Sequence, residues 1–128
     1  MHVVFRESHG LDQSDLPQEL GQTPADLVVL SFSDSDLGAF AAGWHRAEGG
    51  LPSLRLANLV ALKHPLSVDT YAEQTLAGAK AVLVRLIGGE SYWPYGLATL
   101  QDMARKQQIA LAVLPADGQP DPRLDALS

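Results

Sequence analysis

The sequence predicts an α/β domain with a doubly wound, mainly parallel five-stranded sheet, of flavodoxin-like or Rossmann-like type. Three observations lead there. Five apolar runs, near residues 2–5, 25–32, 54–62, 81–87 and 109–114, lack a convincing apolar–polar alternation, as strands buried on both faces do. Stretches with helical spacing separate most of them, and parallel strands need such crossovers. Clusters of Gly, Pro, Ser and Asp mark the junctions where a strand must end or a helix begin.

The run at residues 2–5 comes first. Residues 11–24 are acidic and amide-rich with Pro17 and Pro24, and read as a loop with room for one helical turn at 18–20. After the strand at 25–32, the cluster Ser33, Asp34, Ser35, Asp36 precedes Leu37, Phe40, Ala41 and Trp44. Those four stand at i, i+3, i+4 and i+7, one face of a helix that the Ser/Asp cluster starts. Gly49, Gly50, Leu51 and Pro52 make a turn. Residues 54–62 fit a strand or a helix, and the βα rhythm favours the strand. His64 and Pro65 end it. Ser67 is expected to cap a helix to about Ala77, with Tyr71, Thr75 and Leu76 inward and Gly78 closing it.

Residues 80–96 organise the rest. A buried strand, the Gly88–Gly89 break and a helix start at Ser91 follow one another, and Pro94 is tolerated in the first helical turn. Leu97, Leu100 and Ala104 form that helix's inner face, with Arg105 and Lys106 near its negative end. A fifth strand at 109–114, a loop at 115–122 and the start of a helix at 123–127 follow.

With 128 residues, the sequence reads as one domain spanning 1–128, able to bury about two-thirds of its unfolded surface. An apolar share of 46% excludes a disordered chain. A net charge of −6 argues against nucleic acid or an anionic membrane as partner. With no cysteine there is no disulfide, thiolate metal site or Cys nucleophile. No apolar run approaches membrane-spanning length and no signal peptide precedes the first strand, so the expected setting is cytoplasmic. The helical pattern stops at Ser128 without a cap or polar tail, and the sequence is expected to be the N-terminal domain of a much longer chain.

Ligands of such sheets sit outside the carboxyl ends of the strands. Glu7, His9, residues 33–36, Lys63, His64, residues 88–93 and Asp117 would share that edge. Within it, His9, His64, Gly88, Gly89, Glu90, Tyr92 and Trp93 form the candidate ligand- or partner-binding edge. Tyr92, Trp93 and Tyr95 each combine an apolar ring with a polar handle, suited to a flat ligand, a partner, or a roof over the core. Asp34 and Asp36 have the spacing of a pair of hard oxygen ligands for Mg²⁺ on a phosphorylated or nucleotide-sugar substrate. The simpler reading makes them helix-start residues that favour the dipole, and no metal site is expected. Gly88–Gly89 matches neither phosphate-loop pattern and reads as a turn. The histidines show no zinc spacing, and no nucleophile elbow is present.

Three blocks, at residues 20–37, 51–59 and 84–96, closely resemble the amino-terminal region of the cobaltochelatase large-subunit family (CobN-type), related to magnesium chelatase large subunits. The resemblance implies a part of the tetrapyrrole-binding subunit of an ATP-dependent enzyme. That enzyme inserts cobalt(II) into hydrogenobyrinic acid a,c-diamide during adenosylcobalamin synthesis. It implies as partners the rest of the same chain, the corrinoid substrate, and two smaller subunits, one an AAA+ ATPase. Cobalt and ATP serve the complete complex, and no cofactor is expected in this segment. No metal-insertion residue of the family maps onto it, so the catalytic residues are unknown and the segment alone is not expected to be active.

Overall fold

The computed structural model describes residues 3–6, 24–47, 51–115 and 120–128. The elements are β1 (Val3–Arg6), β2 (Leu27–Ser31), α1 (Asp34–Arg46), β3 (Leu54–Asn58), α2 (Pro65–Gln74), β4 (Ala81–Leu86), α3 (Pro94–Gln107), β5 (Ala110–Pro115) and α4 (Pro122–Leu127). Short 3-10 turns lie at Leu59–Leu62, Leu76–Gly78 and Glu90–Tyr92. The sheet is wholly parallel, in the order β1-β3-β2-β4-β5. The predicted doubly wound α/β class is what the chain adopts. The expected helical turn at 18–20, and Glu7, His9 and Asp117, fall outside the described residues.

Alternation along the strands divides the core in two. Val28, Leu30, Ala57, Val82, Val84, Leu86 and Val113 point to the face covered by α2, α3 and α4, where Val68, Tyr71, Leu97, Leu100 and Leu124 meet them. Val29, Leu54 and Leu56 point to the other face and pack under Leu37 and Trp44 of α1. Each fully buried Val or Leu contributes about 1.5–3 kcal/mol. Burial of Tyr71 raises its phenol pKa well above the ordinary value, with the Arg55 guanidinium opposing the shift.

Local chemistry moved three boundaries. The strand expected over 54–62 stops at Asn58, whose side-chain oxygen accepts from the Val60 N–H at 2.9 Å and turns the chain into a 3-10 helix. Helix α2 is capped by His64, not Ser67: His64 Nδ1 accepts from the Leu66 N–H at 3.1 Å, Pro65 takes the first helical position, and Ser67 is buried inside. A proline at that position costs no hydrogen bond. Likewise Ser91 does not start α3. A 3-10 turn intervenes, and α3 begins at Pro94 with Trp93 before it.

Candidate functional site

Strand β2 leaves through α1 toward β3 on one face, and β4 leaves through α3 toward β5 on the other. The carboxyl ends of β2 and β4 therefore flank the switch point where such folds place ligands. A polar brace occupies it. Arg85 of β4 pairs with Asp36 at 2.6 Å. The Ser31 hydroxyl donates to the same Asp36 oxygen at 2.9 Å and accepts from the Ser33 N–H at 3.1 Å. Ser33 is the N-cap of α1, its hydroxyl accepting from the Asp36 N–H at 3.5 Å. In a capping box the third helical residue reaches back to the cap N–H directly; here the fully buried Ser31 hydroxyl relays that contact.

Asp34 is spent in the same way. Asn58 Nδ2 donates to Asp34 Oδ1 at 2.9 Å, tying the end of β3 to the start of α1. Asp34 and Asp36 thus sit in the first turn, where negative charge meets the positive end of the dipole. Among the described residues, no group of three potential metal ligands converges.

The end of β4 is built differently. Gly88 and Gly89 both have positive φ, +81° and +75°, conformations that residues with a Cβ adopt at a cost. They form one side of a cleft of about 490 Å³ completed by Ser91, Pro94, Asp121 and Arg123. Asp121 accepts from the Arg123 and Leu124 N–H groups at 3.1 and 3.2 Å, so it starts α4 as well as walling the cleft. Sequence reasoning missed Asp121 and Arg123, since more than thirty positions separate them from the glycines. The Asp-Pro step at 121–122 was the available signal, because that pairing marks a helix start.

The aromatic residues separate. Trp93 was expected on the binding edge, but its ring is core: it is 3% exposed, and its indole N–H donates to the Leu62 carbonyl at 2.9 Å. It lies over Gly96, where any Cβ would overlap the indole. Tyr92 is half-buried under the Lys63 ammonium, 4.7 Å from the ring centroid, and its burial raises the phenol pKa. Tyr95 is exposed and donates to Asp69 at 2.7 Å; that hydrogen bond is the main cause of its raised pKa, with burial and the Asp69 charge adding to it. His64 follows Lys63 as the cap of α2. Glu90 opens the 3-10 turn between the glycines and Tyr92. His9 lies outside the described residues.

A protein named aerobic cobaltochelatase subunit CobN from a Sinorhizobium species is 44% identical over 128 residues, covering 100% of this chain and 10% of that protein. Throughout its length, the chain is homologous to part of CobN. The Pseudomonas aeruginosa protein of the same name is 39% identical over 127 residues, covering 99% of this chain and again 10% of its own. The chain therefore spans about a tenth of the curated CobN relatives it matches. No protein-family model and no solved structure matches it. The similarity therefore covers the three sequence blocks and the residues between them.

Proposed function

We propose that the chain is the amino-terminal domain of the large, tetrapyrrole-binding subunit of an ATP-dependent aerobic cobaltochelatase. In this reading the complete subunit takes cobalt(II) and hydrogenobyrinic acid a,c-diamide as substrates. It works with two smaller subunits, one an AAA+ ATPase, in the cytoplasm, on the way to adenosylcobalamin. The domain supplies structure and contact surface, while metal insertion belongs to other parts of the subunit. Its contact toward the corrinoid or a partner is the edge around His64, Gly88, Gly89, Glu90 and Tyr92.

Identity of 39–44% along the entire chain carries this reading. The chemistry of the switch point agrees with it. Asp34 and Asp36, the pair that a Mg²⁺-dependent enzyme would need, are held by Asn58, Ser31 and Arg85. Cobalt insertion assayed with the full-length chain, both smaller subunits and ATP tests it. The full-length chain is expected to form the cobalt corrinoid and the 128-residue chain alone to form none. A 128-residue chain that hydrolyses a phosphorylated substrate in Mg²⁺ overturns it.

A further inference from the structure

The two faces of the sheet are unequally covered. Five strands about 4.8 Å apart present a floor about 19 Å wide, while a helix with its side chains is about 10 Å across. Each face therefore needs two helices. One face has α2 and α3, with α4 beside β5; among the described residues, the other has α1 alone, packed on β1, β2 and β3. Three cross-strand rows run along that second face: Leu54–Leu27–Ala81–Ala110, Leu56–Val29–Leu83–Ala112 and Asn58–Ser31–Arg85–Leu114. Leu54, Leu56, Val29 and Ser31 are buried, Leu83 and Ala112 are half-buried, and Ala110 and Leu114 are exposed, Leu114 by 41%. A groove of about 390 Å³ runs along the base of α1, lined by Leu27, Phe40, Gly43, Trp44 and Leu54 among other apolar residues.

We propose that this open half-face seats one amphipathic helix from the part of the large-subunit chain that follows residue 128. The inference rests on the cobaltochelatase reading above. Width fits one helix, and on the floor Ala81, Ala110 and Ala112 are small, leaving Leu83 as the one large side chain for a helix to pack against. The relatives carry about nine-tenths of their length outside the matched segment, so chain is available. Position also fits: the Ser128 hydroxyl accepts from the Val113 N–H at 2.9 Å, on the outer edge of β5. Chain leading on from there starts at the β5 border of the open half-face.

The test uses the full-length subunit. The segment has no cysteine, so Ala112→Cys and Leu114→Cys, with Lys106→Cys on α3 as an exposed control, can be followed by peptide mapping after maleimide labelling. Ala110→Cys, at a position already exposed, serves as reporter if the others fail to fold. In the subunit by itself, the half-face thiols are expected to react about tenfold or more slower than Cys at 106, in proportion to how seldom the covering helix opens. A photo-crosslinker at Leu114 should capture a peptide of the same chain beyond residue 128. Labelling as fast as the control overturns the proposal. So does protection that appears only when the smaller subunits are added, or protection that rises with concentration and crosslinks two copies. Cobalt insertion by the same preparation reports separately on the cobaltochelatase reading.

Discussion

Two places at the carboxyl edge of the sheet, only one strand apart, are built on opposite plans. At the end of β2, charged and polar side chains converge, and Ser31, Asp34, Asp36, Asn58 and Arg85 all find partners within the fold. At the end of β4, two glycines withdraw their side chains and leave a cleft. The more reactive-looking place is the structural one. A half-buried polar cluster whose members bond one another is a brace, while a contact surface needs open volume and groups still facing solvent. Residue type alone does not separate these cases; hydrogen-bond bookkeeping does.

The contrast can be broken from beneath. Val84 is fully buried in the strand that serves both places. Val84→Asp is expected to abolish folding, because an unpaired buried charge costs several kcal/mol; circular dichroism would show loss of the cooperative melt that the wild-type chain is expected to give. Trp93→Ala comes next, at about 3–5 kcal/mol in chemical denaturation, since it empties core volume and orphans the Leu62 carbonyl. Gly96→Ala should cost about 1–3 kcal/mol through overlap with the same indole. If Trp93→Ala leaves stability unchanged, the ring is not the floor of this edge.

Substitutions at the two places themselves sharpen the comparison. Asp36→Ala removes the acceptor of both Arg85 and the buried Ser31 and is expected to cost about 1–3 kcal/mol. Asp34→Ala, which loses only the Asn58 contact, should cost on the order of 1 kcal/mol. Gly89→Ala faces positive φ and the Asp121 carboxylate, so about 1–2 kcal/mol is expected. Urea midpoints of the three variants, measured side by side, check the ranking. A neutral Asp36→Ala would mean that the brace holds nothing.

Much of the fold was legible. Apolar runs without alternation located the strands because β2 and β3 are buried on both faces and β4 and β5 keep mostly apolar residues on their half-open face too, and the spacing of Leu37, Phe40, Ala41 and Trp44 drew the inner face of α1 correctly. Caps were harder to read. Ser67 has the better capping side chain, yet Pro65 fixes the helix start and leaves His64 to accept the free N–H. The core role of Trp93 depends on a carbonyl thirty-one positions away, and no local pattern carries that. One signal was available and unused: Arg85 interrupts an apolar strand, and a half-buried guanidinium there requires an acid nearby, which pointed to the Asp34/Asp36 pair.

Thermal unfolding with and without divalent metal tests the central claim, that the switch point is a brace and the segment contributes structure and contact surface, most directly. The melting temperature of the chain is expected to be the same in millimolar Mg²⁺ or Co²⁺ as in EDTA, because each carboxylate is already engaged through one oxygen, Asp34 with Asn58 and Asp36 with Ser31 and Arg85, and no third ligand converges on them among the described residues. A metal that binds the folded state at 100 times its Kd would add about 2.7 kcal/mol. A metal-dependent rise of that size, absent in Asp36→Ala, would contradict the claim and make the acidic pair a metal site.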